Sequence, residues 1–193
     1  AVRPSASKPG SPSLTARMLG SNTIKVGIPV SLSGQFQVQG MQALAGLQAW
    51  AEDTNRAGGV KVGHSDAGRL ISIVYYDDAS KTAQARQTTE RLITSDRVDL
   101  LFGPYSGVLA LASVQVAEGH GKLLWNQGGA SDTIYQRGFK WVVGVLTPAS
   151  RYLEEWLPLV RGADPNADSL AIVRASTGAF PKAVVSTVES QAG

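Results

Sequence analysis

Ile24, Val26, Ile28 and Val30 alternate with Lys25, Gly27 and Pro29, and this two-residue period predicts a strand with one buried face. Pro29 lacks a donor, so ladder pairing is expected to loosen there and the strand to run out into the loop Ser31–Gln35. The period then lengthens. Met41, Leu44, Ala45, Leu47, Trp50 and Ala51 recur at helical spacing, and Ala57-Gly58-Gly59 supplies a left-handed stop. A polar excursion from Lys61 to Gly68 leads to a second strand, Leu70 to Tyr76, rich in β-branched and aromatic residues. Asp77-Asp78-Ala79-Ser80 then signals a helix start, better explained by capping than by a paired-acid or metal site. The helix carries Ala83, Ala85, Leu92 and Ile93 and frays near Ser95-Asp96.

A third strand, Leu100 to Phe102, breaks at Gly103-Pro104 because Pro104 cannot donate to a ladder and pushes Gly103 out of helical geometry. A helix from Val108 to Glu118 follows and stops at Gly119-His120-Gly121. Lys122 to Asn126 forms the fourth predicted strand, Thr133 to Gln136 a short helical piece, and Lys140 to Val145 the fifth strand. After a break at Thr147-Pro148, the pattern predicts a helix around Tyr152 to Val160, a sixth strand from Leu170 to Arg174 and a last helix near Phe180. Strands and helices in steady alternation make this an α/β chain: a Rossmann-like parallel sheet with helices on both faces and right-handed crossovers. Residues 1–22, with Pro4, Pro9 and Pro12 among Ser, Ala and Gly, read as a flexible leader.

Ligands bind such sheets at the carboxyl ends of the strands. The loops there are Ser31–Gln35, Asp77–Ser80, Gly103–Gly107, Asn126–Asp132 and Thr147–Ser150, rich in Gly, Ser and amides and poor in catalytic side chains. Ser106 and Gly107 stand where a helix presents unpaired N–H groups and a capping hydroxyl. Two readings fit that corner: a plain capped turn, or an anion or carboxylate site. Gly128-Gly129 lets backbone approach a small ligand closely. Ser106, the amides of Gly107, Ala130 and Ser131, and the carbonyl of Gly128 could ring the carboxylate and amino groups of a small zwitterion. Trp125 ends a strand and is expected in the core, the other place for it being the ligand site.

Composition narrows the chemistry. The 193 residues contain no Cys, which removes disulfides, thiolate nucleophiles and cysteine-held metal clusters. The formal charge of +3 is mild and no two basic residues adjoin, so no nucleic-acid partner is expected. G-x-G-x-x-G is missing after strand one, and no P-loop occurs. His64 and His120 both lie away from the carboxyl-end loops, so no base serves a Ser–His–Asp arrangement and both read as surface histidines. The expectation is a binding protein and not an enzyme, with no catalytic residues, no metal and no cofactor.

Ile24-Lys25-Val26-Gly27, Ser31-Leu32-Ser33-Gly34, Ala57-Gly58-Gly59-Val60, Tyr76-Asp77-Asp78, Phe102-Gly103-Pro104-Tyr105-Ser106 and Gly128-Gly129-Ala130-Ser131 occur in order. In this arrangement the chain resembles the type I periplasmic binding proteins of the leucine/isoleucine/valine-binding branch, the solute-binding subunits of ABC transporters. The resemblance implies a ligand carboxylate held at Ser106, flanked by Tyr105 and Gly107, and a second loop from Gly128 and Gly129 through Ala130 to Ser131. Ala130 stands where the family usually has Thr, and Gln39 where an aromatic often precedes Gly40. These departures widen the expected ligand to a small amino acid, amide or aromatic carboxylate. Phe180 matches an aromatic that the second lobe contributes.

The family closes two lobes on its ligand. Residues 23–147 are expected to form the N-terminal ligand-binding lobe, and 148–193 the start of a truncated second lobe. The implied partners are a small-molecule ligand and a membrane ABC permease, at a periplasmic or cell-surface location with the signal sequence removed. The same pair of lobes also serves as the ligand-sensing domain of receptors and regulators.

Overall fold

The computed structural model describes residues 23–62, 68–176 and 179–192. The predicted leader at 1–22 and His64 lie outside them. The core is one five-stranded sheet with all pairings parallel. In chain order the elements are β1 (Thr23–Val30), α1 (Gln37–Arg56), β2 (Leu70–Asp77), α2 (Thr82–Thr94), β3 (Leu100–Phe102) and α3 (Gly107–Gly119). They continue with β4 (Leu124–Asn126), α4 (Asp132–Gln136), β5 (Val142–Gly144), a 3-10 turn (Ala149–Arg151), α5 (Trp156–Ala163) and α6 (Ala179–Ala192). Across the sheet the strands run β2-β1-β3-β4-β5.

The alternation in β1 does what its period requires. Its even residues Ile24, Val26, Ile28 and Val30 join Leu44, Leu47 and Ala51 of α1 and Ile71 of β2 in one core. Gly27 faces the other way, where an added Cβ would meet Val98 at 3.0 Å. On that side Leu92 of α2, Ala110 and Val114 of α3, Leu101, Leu124 and Ile134 form the second core. Pro29 loosens the ladder on one side only. The Val30 carbonyl accepts from the Asp78 N–H and the Lys25 carbonyl from the Asp99 N–H, so even residues bond toward β2 and odd ones toward β3. The donor missing at Pro29 therefore faces β3, where pairing ends at Gly27–Leu101, while β2 stays in register to Val30–Asp77.

Three sequence expectations need correction. Leu170 to Arg174 is not a strand: it is exposed coil, with Val173 98% exposed, because among the described residues no neighbouring strand satisfies its ladder groups. Trp125 is not a core residue; it is 39% exposed, its ring stacked on Phe102 with centroids 6.4 Å apart. Asp77 and Asp78 do not cap α2, whose N-cap is Lys81.

The two acids instead fasten the ends of β1 and β2 together. Asp77 accepts from the Leu32 N–H at 2.9 Å, the Ser33 hydroxyl at 2.7 Å and the Ala79 N–H at 2.8 Å. Asp78, fully buried, accepts from the Ser31 hydroxyl at 2.6 Å and the Ser80 N–H at 2.8 Å. Burial pushes both carboxyls up. At Asp77 the Ser33 hydroxyl and the surrounding N–H groups outweigh it and hold the group below its ordinary value. At Asp78 burial prevails, and the Asp77 charge adds to it against the Ser31 and Ser80 bonds.

The two shifts have opposite linkage. The Asp77 contribution is present above the unfolded carboxylate range and lost as pH falls through its depressed folded value. The Asp78 contribution is complete below the unfolded range and lost as pH rises through its elevated folded value. Thermal melts from about pH 3 to pH 8 should therefore show Asp77→Asn losing ground on the parent chain as pH rises, and Asp78→Asn gaining. Parallel pH profiles for the two variants would contradict this assignment.

Candidate ligand-binding site

The β3–α3 and β4–α4 corners meet at the carboxyl edge of the sheet. The Ser106 N–H donates to the Gly128 carbonyl at 2.9 Å, and the Gln127 side-chain amide donates to the Gly103 carbonyl at 2.9 Å. Contact between the corners is too close for side chains at two positions. A Cβ on Gly128 would lie 2.7 Å from the Pro104 carbonyl oxygen, and one on Gly107 would lie 2.6 Å from the Ser131 Cβ. Tyr105, Ser106 and Gly107 thus abut Gly128 and Ser131; Gly128, Gly129 and Ala130 are buried there, while Tyr105 is exposed and Ser106, Gly107 and Ser131 are partly so.

Ser106 is held in an unusual backbone state, with φ 80° and ψ 143°. A non-glycine residue there carries strain on the order of 1–3 kcal/mol, and such strain concentrates where a fold serves a ligand. Its hydroxyl oxygen accepts the Leu109 N–H at a long 3.4 Å, which leaves the hydroxyl proton free to donate. The N–H groups of Gly107 and Val108 lie in the first turn of α3, where helices have no internal acceptor. Hydroxyl, amides and helix dipole converge on a place suited to a carboxylate.

The second corner is shaped by a residue that the sequence reading did not single out. Asn126 is fully buried; its Oδ1 accepts the Gly129 N–H at 2.9 Å and its Nδ2 donates to the Gly129 carbonyl at 2.6 Å and to the Tyr135 hydroxyl at 3.0 Å. Gly129 therefore has no free polar group, and the Gly128 carbonyl is already engaged by Ser106. Both shape the loop. The Ala130 carbonyl accepts from the Ala149 N–H at 2.8 Å, and Asp132 binds the Ser150 N–H and hydroxyl, so the turn after β5 docks on this corner. Ser131, the N-cap of α4, makes no side-chain cap bond and its hydroxyl is uncommitted there. A strand-end Asn ahead of Gly-Gly was the available signal for this loop.

The rim is aromatic. Tyr105 is 39% exposed and meets Phe36 edge-to-face at 5.6 Å. Gln39, in the first turn of α1, is half-buried with its Oε1 lacking a hydrogen-bond partner. Phe180 lies on α6, half exposed, with its ring against Tyr152 at 5.8 Å rather than in either corner. His120, the C-cap of α3, pairs with Glu90 of α2 at 2.9 Å, both at exposed positions. Among the described residues no group of three or more His, Cys, Asp or Glu could hold a metal, and no helix is long and apolar enough to cross a membrane.

This geometry has known relatives. A periplasmic binding protein family model matches residues 23–193. The chain belongs to the periplasmic binding protein family. Its sheet and helices match a type I periplasmic binding protein lobe. It is 27% identical over 143 residues to the Leu/Ile/Val-binding protein homolog 8 of Brucella abortus (strain 2308), covering 74% of this chain and 34% of that one. It is 32% identical over 120 residues to homolog 7 of the same strain, covering 62% and 28%.

Among solved structures, the branched-chain amino acid transporter substrate-binding protein LivJ of Streptococcus pneumoniae, in complex with isoleucine, matches with a TM-score of 0.73. The identity is 23%, over 87% of this chain and 46% of that one. A solute-binding protein of an ABC transporter from Rhodopseudomonas palustris BisB5, in complex with 3,4-dihydroxybenzoic acid, matches with a TM-score of 0.70 at 18% identity, over 89% and 44%. The chain thus spans about a third of these curated relatives and under half of these solved structures.

Proposed function

We propose that this chain is the ligand-binding lobe, with the start of a second lobe, of an extracytoplasmic solute-binding protein that delivers a small carboxylate-bearing molecule to an ABC permease. One observation carries the reading: two loops locked together at the carboxyl edge of a parallel sheet offer a free hydroxyl and unpaired amides but no base or nucleophile. Residues 23–147 form the lobe that bears Ser106, and 148–193 begin the lobe that closes on the ligand from the other side, with Phe180 on that side. Neutral donors suit a ligand that must be captured and then released, since they hold a carboxylate without a counter-charge to strip away. The aromatic rim at Phe36 and Tyr105 suits an apolar or ring-bearing body behind the carboxylate. The family membership and the isoleucine and dihydroxybenzoate complexes of the structural neighbours support the ligand class.

Calorimetric titration of the full-length polypeptide with branched-chain amino acids and aromatic carboxylates tests the reading. Saturable binding to one of them is expected; silence across the panel overturns it. Two substitutions at Ser106 sharpen the test. Ser106→Ala removes one hydrogen bond to a charged group, roughly 1.5–3 kcal/mol, or about a tenfold to hundredfold loss in affinity. Ser106→Gly should lose affinity to the same degree while raising the melting temperature, because glycine accepts φ 80° without strain. Unchanged affinity in both would remove Ser106 from the site.

A further inference from the structure

Backbone strain among the described residues gathers at the carboxyl edge of the sheet. Four non-glycine residues there and elsewhere have positive φ: Ser106 (80°) in the binding corner, Ala79 (50°) and Ser80 (56°) side by side after β2, and Arg97 (52°). Consecutive left-handed L-residues are rare, because each Cβ crowds its own carbonyl. The pair is held by the two carboxylates before it. Asp77 accepts the Ala79 N–H and Asp78 the Ser80 N–H, both at 2.8 Å. Glycine would take either φ without strain. Ser80 is therefore kept against a cost, and its hydroxyl shows what for.

That hydroxyl reaches across to the loop between β1 and α1. It donates to the Ser33 carbonyl at 2.8 Å and accepts the Phe36 N–H at 3.1 Å. The approach is close enough to need glycine opposite: a Cβ on Gly34 would lie 2.7 Å from the Ser80 Oγ and 2.8 Å from its Cβ. Phe36 is the N-cap of α1 and makes no side-chain cap bond. Its ring meets Tyr105 edge-to-face, with centroids 5.6 Å apart and planes at 62°. Tyr105 in turn adjoins Ser106. A line of contacts thus runs from Ser80 through the Phe36 backbone and ring to the residue beside the free hydroxyl.

We propose that Ser80 is a positioning residue for ligand selectivity. Its two hydrogen bonds fix the Phe36 ring against Tyr105 as an apolar wall of the site, and that wall favours carboxylates with a large apolar body. Ser80 acts through Phe36 and not by contact with the ligand. Aromatic pairs gain beyond their buried area only within a narrow range of separation and angle. Releasing the Phe36 N–H and the Ser33 carbonyl frees the loop, and the ring leaves that range. The selectivity rests on the ligand reading; the tether from Ser80 to Phe36 does not.

The test compares Ser80→Gly, Ser80→Ala and Ala79→Gly with the parent chain. Both Ser80 variants drop the two bonds, but only glycine also relieves φ 56°, so it should melt above the alanine variant. Both should nonetheless lose the Phe36–Tyr105 ring contact, read by nuclear Overhauser effects in the 193-residue chain. Ala79→Gly relieves strain alone and should keep that contact. Titrated beside Ser106→Ala, the Ser80 variants should lose about two- to twelvefold in affinity for branched-chain and aromatic carboxylates, and little for free glycine. Phe36→Ala should reproduce that pattern with Ser80 intact, whereas Ser106→Ala should weaken every ligand alike. Ring contact retained in both Ser80 variants, or an equal loss for small and large ligands, overturns the proposal. So does a contact that fades in step with the melting temperature across the variants, the mark of general loosening. If the parent binds none of the ligands, the ligand reading and the selectivity fall together, while the ring contact still decides whether Ser80 tethers Phe36.

Discussion

Replacing Gly40 with alanine will destabilise the fold by more than about 3 kcal/mol, seen as a fall of at least about 6 °C in the melting temperature. Gly40 sits in the first turn of α1 directly against the Ser31 backbone. An added Cβ would press on the Ser31 carbonyl oxygen and come within 2.9 Å of its carbon and 3.0 Å of its nitrogen. The obstruction is main chain, so no side-chain rotation relieves it. Ser31 cannot retreat either, because its hydroxyl is bonded to buried Asp78 and the next N–H to Asp77. Either α1 shifts or the latch opens. A shift of α1 also carries Phe36, whose N–H is tied to the Ser80 hydroxyl at 3.1 Å and whose ring meets Tyr105 beside Ser106. The variant should lose ligand affinity in the full-length polypeptide as well as stability. Gly46→Ala, on the same helix with open space around it, is the control: in the 193-residue chain it should gain about 0.5–1 kcal/mol from helix propensity. Equal effects at the two glycines would refute the close-contact account of Gly40.

The contrast between these glycines shows which parts of the molecule local pattern reveals. Periodicity located β1 and α1 because each satisfies its own pattern: the alternation at Ile24–Val30 and the spacing of Leu44, Leu47 and Ala51 both end in a buried face. Gly103-Pro104 ended β3 and Ser106 began α3 for reasons confined to a few residues. Asp77-Asp78 could not be read that way. Two acids before a helix look like caps, and only the approach of Ser31 and Ser33, over 40 residues earlier, turns them into a clasp between strands. Met41 and Trp50 belong to the apolar count of α1 yet are exposed, because apolar spacing says how wide a face is and not how much of it finds a partner. Trp125 and Leu170–Arg174 misled for the same reason. Each is locally suited to burial or pairing, and neither has its partner among the described residues. The site residues follow the same division: the Ser106 corner was visible in sequence, while Asn126, which shapes its counterpart, acts through a buried network that sequence spacing does not display.

Asn126→Leu should cost about 3–5 kcal/mol, a drop of roughly 6–20 °C in the melting temperature, although the side chain keeps the same branching and number of heavy atoms. Leucine leaves the Gly129 N–H and carbonyl buried without partners, each at about 1–3 kcal/mol, and releases the Tyr135 hydroxyl as well. The loop from Asn126 to Ser131 would then lose the geometry that sets the Gly128 carbonyl against the Ser106 N–H. Ligand affinity should fall through misplacement of Ser106, without any loss of a ligand-touching group. Asn126→Asp separates that structural role from simple bulk. Its one oxygen can still accept from Gly129, but the other would face the Gly129 carbonyl where Nδ2 now donates. In that position the acid is held better when protonated, so its folded pKa should be raised and the variant should recover stability as pH falls through that value. The leucine variant has no titrating group there and should show no such recovery. Melting both variants across the acid range, with ligand titration of the full-length forms, distinguishes a hydrogen-bonded loop from a merely packed one. If Asp and Leu behave alike at every pH, Asn126 is filling space and the two corners are held together by the Ser106–Gly128 and Gln127–Gly103 bonds.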